Sequence, residues 1–156
     1  MKAQEFLQQL KKLDKMIENK LAEKEQWKSI ATGTTAPANG ERVQSSGNGQ
    51  KLENAVIKFV DIEKEIDAYI DKLIAIKQDV ISVIEQLNTR EYDLLHKMYV
   101  QYYSMQEIVE MYDKSESWFR TIHRSGLKKV QNILDNREKQ KSTEKYGKVL
   151  ESAESC

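Results

Sequence analysis

The sequence predicts an all-α protein, a long antiparallel, coiled-coil-like helical hairpin followed by a helix-turn-helix domain. Three observations predict it. Residues 52 to 87 carry unbroken heptads, residues 3 to 31 repeat apolar side chains every three or four positions, and residues 87 to 134 break into three short helical segments. Charged residues make up 32% of the 156 and aromatics only 8%, which favours long helices with thin apolar seams over a thick core.

The first helix is expected over residues 3 to 31. Phe6, Leu7, Leu10, Leu13, Ile17 and Leu21 share a face, with Trp27 and Ile30 as later anchors and Lys, Glu and Gln between them. Residues 32 to 51 hold the single Pro and most of the glycines, and read as a long, flexible connection. Arg42 and Val43 are the residues in it able to dock elsewhere.

The second helix is expected over residues 52 to 87. One seam is Leu52, Phe59, Ile66, Leu73, Val80 and Leu87; the other is Ala55, Ile62, Tyr69, Ile76 and Val83. At 1.5 Å per residue it is about 54 Å long, and the first helix, at about 45 Å, can cover most of it. Val56, Ile70 and Ile84 beside the seam, with Ile57, Ile74 and Ile81 on another flank, make the apolar arc wider than one partner helix covers. A homodimer or higher oligomer through this helix is therefore expected; the alternative is that the flank packs on the C-terminal domain of the same chain.

Residues 88 to 137 form the expected second domain. Asn88 with Glu91 and Ser104 with Glu107 have the spacing of capping boxes. They open helices over Arg90 to Tyr103 and Met105 to Met111. Tyr112, Asp113 and Lys114 make a turn, and Ser115 caps a last helix running to about Arg137. Residues 138 to 156 are polar without an apolar seam and are expected to be disordered.

The last helix has two faces. Phe119, Ile122, Gly126, Val130 and Ile133 share one, ready to form a small core with Ile108, Met111 and Tyr112. Ser115, Ser117, Arg120, Thr121, His123, Arg124, Lys128 and Lys129 are the candidate DNA-binding residues. Arg pairs bidentately with a guanine edge, Ser and Thr serve several bases, and lysines and helix N-terminal amides suit phosphates. Net charge is zero. The segment from Lys114 to Leu134 nevertheless carries Lys114, Arg120, Arg124, Lys128 and Lys129 against Glu116 alone.

Leu87 to Leu134 resembles the promoter −35-binding region 4 of bacterial sigma factors. The shared frame runs L-x-x-R-E-x-x-x-L-x-x-x-Y from Leu87 to Tyr99, then S-x-x-E-I from Ser104 to Ile108. Ser115, Phe119, Ile122 and the pair Gly126-Leu127 complete it. Val109, Lys114 and Trp118 depart from the usual pattern. With KKLDKMIENKLAE before it and GERVQSSG in the loop, the whole chain resembles a family of small sigma-like regulators encoded by phages and prophages of Gram-positive bacteria. The resemblance implies a transcription regulator that binds double-stranded DNA, with RNA polymerase as a further partner. The heptad-patterned remainder offers no evident promoter-melting domain, so an accessory activator is expected in place of a complete sigma factor. The alternatives are a small DNA-packaging (terminase) subunit and a helical protein-binding adaptor without DNA contact.

Catalysis has little support. His96, His123 and the terminal Cys156 do not make a common zinc set, and Gly47-Asn48-Gly49 lacks the lysine of a phosphate loop. No enzyme activity, metal or cofactor is expected. There is no apolar leader at the start and no run long enough for a membrane span, so a cytoplasmic protein is expected.

Overall fold

A computed structural model describes residues 1–33 and 47–154, with side chains for all of these except Asn48 and 146–154. Arg42, Val43 and Cys156 lie outside the described residues. Five α-helices follow in order: α1 (Ala3–Ala31), α2 (Gly47–Ile84), α3 (Thr89–Leu95), α4 (Met105–Met111) and α5 (Glu116–Glu154). The described residues contain no strand, so the fold is all-α. They divide into two compact units, Lys12–Ala75 and Met1–Lys11 with Ile76–Cys156.

In the first unit, α1 and α2 run antiparallel. Lys20 pairs with Glu65 at 2.7 Å and Lys24 with Glu63 at 2.7 Å, so position rises on one helix as it falls on the other. Lys24 also lies over the Phe59 ring, 5.0 Å from its centre. Ala55, Ile62 and Ile66 are buried at their heptad positions, as is Leu13 from α1. Two expectations change here. Leu21 is exposed: the seam continues through the half-buried Lys20, Lys24 and Trp27, the lysine stems covering apolar surface while their ammonium groups meet carboxylates. Leu52 is also exposed, and α2 begins a turn earlier, at Gly47. Val56, Ile57, Val60, Ile70 and Ile74 remain exposed along α2.

The second unit holds the rest of the buried surface. Ala3, Phe6, Leu7 and Leu10 of α1, Val80, Val83 and Ile84 of α2, and Val130 and Leu134 of α5 are all buried in it. The Gln131 amide oxygen accepts from the Ala3 backbone N–H at 2.7 Å, satisfying one of the donors that a helix start leaves open. Arg137 donates to Asp79 at 2.7 Å and to the Ser82 hydroxyl at 3.3 Å. These contacts join the middle of α5 to the ends of α1 and α2. They also explain why Val80, Val83 and Ile84 are buried while the apolar flank nearer the start of α2 is not.

The segment from Thr89 to Tyr103 is not one α-helix. After α3, residues His96–Val100 widen into a π-turn closed by Gln101 N–H to His96 C=O at 3.0 Å. Leu94 and Tyr99, both buried, lie five positions apart, a spacing that a wide turn accommodates better than a 3.6-residue one. Tyr102 then takes a left-handed φ of 65°, which ends the helix. At the other end of the chain, α5 continues to Glu154 where the polar sequence suggests disorder beyond Arg137. Residues 138 to 145 are Glu, Lys, Gln, Ser and Thr with no Gly or Pro, so no stop signal falls before Gly147.

Leu94, Ile108 and Phe119 form the core of the helix-turn-helix, with Met98, Met105, Val109, Trp118 and Ile122 packed around it. Met111, expected in this core, is exposed; Tyr112 is exposed too, its ring tilted against Phe119 with centres 5.6 Å apart. Helix α3 lies across α5 at Gly126, which is buried. A Cβ there would sit 3.1 Å from Leu95 Cδ1 and 3.6 Å from Glu91 Cβ. Gly126→Ala is expected to leave stability within about 1 kcal/mol, since the helix propensity gained offsets a small shift of Leu95. Gly126→Val is expected to cost about 2–3 kcal/mol by overpacking the crossing. Urea denaturation of both variants measures this, and a Val variant as stable as the parent would show that the helices do not approach closely.

Candidate nucleic-acid interface

The interface is built from the turn that opens α5. Ser104 caps α4 with a complete box: its hydroxyl accepts from Glu107 N–H at 3.2 Å, and the Glu107 carboxylate accepts from Ser104 N–H at 2.7 Å. The Ser104 N–H, with the Ser104 hydroxyl donating at 2.8 Å, holds the Glu107 carboxyl below its usual pKa. After the turn at residues 112 to 114, the Ser115 hydroxyl accepts from Trp118 N–H at 3.3 Å and caps α5.

The box at Asn88 is only half made. Its side chain accepts from Glu91 N–H at 3.0 Å, but the Glu91 carboxylate turns away, into the crossing with α5. There it accepts from the Ser125 hydroxyl at 2.7 Å and from Lys129 Nζ at 2.8 Å. Glu91 is 3% exposed, the one charged residue buried among those described. Burial alone would raise its pKa; the hydrogen bonds from Lys129 and Ser125, with the charge of Lys129, outweigh that and lower it.

The sequence-predicted site residues therefore divide. Ser117, Arg120, Thr121, Arg124 and Lys128 lie exposed along α5. The Thr121 hydroxyl donates back to Ser117 C=O at 3.1 Å and keeps its lone pairs outward. Arg120 Nε donates to Glu116 at 2.8 Å, an exposed i,i+4 pair worth about 0.5 kcal/mol and easily exchanged for a phosphate. Neither Arg124 nor Lys128 has a hydrogen bond or ion pair to any described residue. Ser115 is used as the cap, which leaves the N-terminal amides of α5 as the donors there.

Two candidates are already engaged within the protein. Lys129, although exposed, pairs with Glu91 at the α3–α5 crossing. The His123 ring stacks on Tyr99, and its Nε2 shares a 2.8 Å hydrogen bond with the Tyr99 hydroxyl. Burial lowers the His123 pKa, which disfavours the charged ring that a phosphate would need. Both are separated by one helical position from an outward residue, Lys128 and Arg124 respectively. That is a rotation of about 100°.

Sequence reading missed Arg90 as a site residue and counted Lys114 among the basic residues of the segment, and as a departure in the turn, without placing it in the site. Both cations lie over the Trp118 ring, at 6.0 and 5.9 Å from its centre, beside the start of α5. The signal for Arg90 was its place two residues after Asn88, at the exposed mouth of α3. Among the described residues no His, Cys, Asp and Glu cluster could hold a metal ion, and no helix is long and apolar enough to cross a membrane.

Residues 83–132 match the family model for Sigma-70, region 4. This segment, about a third of the chain, is a sigma region-4 helix-turn-helix domain, and its fold class is the one expected. No curated protein and no solved structure matches the chain.

Because the folded-state pKa of Glu91 is lowered, its contribution to stability is complete above the usual carboxylate range. It is lost as pH falls below about 4.5 and through the lowered value. Thermal melts are expected to be insensitive to this group between pH 7 and about 5, then to drop. Glu91→Gln should cost about 1–2 kcal/mol at pH 7, moderated because Lys129 keeps contact with water, and should flatten the acid slope. An unchanged acid slope in that variant would remove Glu91 from the account.

Proposed function

We propose that the chain is a sequence-specific DNA-binding transcription regulator of a phage or prophage, acting in the cytoplasm of its bacterial host. It reads the major groove with the first turns of α5. The observation that carries this reading is the capped, region-4-type turn presenting Ser117, Thr121, Arg124 and Lys128 together on one exposed face. Arg120 adds a cation at its edge. Such a face supplies both base contacts and phosphate contacts.

The role is that of an accessory activator, with RNA polymerase as the partner, and not of a complete sigma factor. The helical hairpin of residues 12 to 75 supports this: it presents a seam and an apolar flank suited to holding another helix. Val56, Val60, Ile70 and Ile74 are the residues through which two copies associate. Two-fold pairing would bring two reading helices into one assembly. A small terminase subunit remains the second reading; ring-sized oligomers favour it and a dimer disfavours it.

Fluorescence titration onto duplex DNA at several salt concentrations tests the DNA reading. Affinity should fall steeply with salt, with a slope of about −0.9 per phosphate contact. Arg120→Ala with Arg124→Ala should weaken binding about tenfold or more and reduce the slope by about one to two. Equal binding by this double variant, or binding indifferent to salt, contradicts the assignment. Light scattering tests the association: a monomer mass that does not change with concentration excludes it.

A further inference from the structure

Beside the reading face, but distinct from it, lies a groove of about 360 Å³ between α3, the turn and the start of α5. Leu94, Ile108 and Phe119 form its apolar floor, and the rings of Tyr92, Tyr112 and Trp118 stand around it. Its size falls within the range of ligand pockets, roughly 300 to 1,000 Å³. Its charges are unequal. Asp93 is the one acid lining it, and that carboxylate is already taken by the Lys97 ammonium and by the Tyr112 hydroxyl at 2.6 Å. Lys97 is thereby neutralised. Arg90 and Lys114, both exposed, hold their cations over Trp118 and have no carboxylate within ion-pair distance among the described residues.

We propose that this groove docks a peptide segment of a partner protein in which one bulky apolar side chain is flanked by carboxylates. The apolar side chain fills the space above Leu94 and Ile108, and the flanking acids meet Arg90 and Lys114. Both halves of that chemistry are required by the surface. A bare phosphate or a polyanion satisfies the two cations but leaves water against the apolar floor, forgoing about 25 cal/mol per Å² of apolar surface that an occupant would cover. An uncharged apolar peptide leaves the cations without partners. The Trp118 ring joins the two parts, since it meets Phe119 nearly at right angles with ring centres 4.9 Å apart while its surroundings are cationic. Aromatic and Arg residues clustered at a concave site are the composition of an interaction anchor. The proposal goes beyond the DNA reading and does not rest on it.

The groove reports on itself, because Trp118 and Trp27 are the only tryptophans. In the full chain carrying Trp27→Phe, Trp118 alone emits. A displayed pool of short random peptides selected on this protein should enrich sequences with Leu, Phe or Trp between Asp or Glu residues. Those peptides should shift Trp118 emission. Their affinity should fall about tenfold or more on Arg90→Gln with Lys114→Gln, exposed changes that keep most of each stem and should leave circular dichroism unaltered. Replacing the peptide's apolar residue by Ala should cost a similar factor. Failure to enrich any peptide, enrichment of peptides lacking either feature, or undiminished binding to the double variant each overturns the proposal. So does Trp118 emission that moves with duplex DNA and not with the selected peptides, which would assign the groove to nucleic acid. Loss of DNA binding by Arg120→Ala with Arg124→Ala leaves these outcomes untouched, so the two readings can fail separately.

Discussion

The crossing of α3 over α5 sets the rotation of α5, and the face proposed to read DNA depends on that rotation. Gly126 lets the two backbones approach, and Glu91 locks the approach. A carboxylate removed from water needs compensating donors. Here both come from α5, from Ser125 and Lys129, one turn apart on a single line of the helix. With that line held at the crossing by Glu91, Arg124 and Lys128 are carried about 100° away from it. A carboxylate 3% exposed thus decides which lysine of the pair at 128 and 129 is free. Removing the apolar floor would unfold the domain; removing Glu91 would instead loosen the angular setting of a helix that stays folded.

Helix α5 serves two tasks along its length. Its first turns present the exposed polar face, while Val130, Leu134, Gln131 and Arg137 join it to the start of α1 and the end of α2 in the same unit. The two tasks share one rigid element, with the Glu91 clamp between them. A load on the later turns is therefore transmitted to the reading end without an intervening loop. The same arrangement explains the capping economy of the domain. Ser104 and Ser115 close their own helix starts, whereas Glu91 leaves its cap half made to serve the crossing, where a buried charge has more to gain than an exposed end.

Local features were legible in the sequence. The heptads of α2, the box at Ser104, the turn before Ser115 and the apolar stripe of α5 all depend on residues within a few positions of one another. The features that escaped depend on distance in the chain. Nothing near Glu91 marks it as buried, because its partners lie 34 and 38 positions later. His123 and Lys129 have the side chains of DNA-binding residues, and only Tyr99 and Glu91 show that both are already engaged. The π-turn at His96–Val100 was hidden because its cause, the docking of Tyr99 on α5, is tertiary. Arg90 was passed over because its neighbours Trp118 and Lys114 belong to another helix and a turn.

The division of α5 into side chains engaged by Glu91 and Tyr99 and side chains left free is the central claim, and nuclear magnetic resonance of the full chain with a random-sequence duplex at low salt tests it most directly. Side-chain signals of Arg124 and Lys128, with the amides from Ser117 to Thr121, should move on adding DNA. The Lys129 ammonium and the His123 ring should stay where they are. If instead Lys129 and His123 move most while Arg124 and Lys128 stand still, the clamp does not set the rotation of the reading helix and the account is wrong.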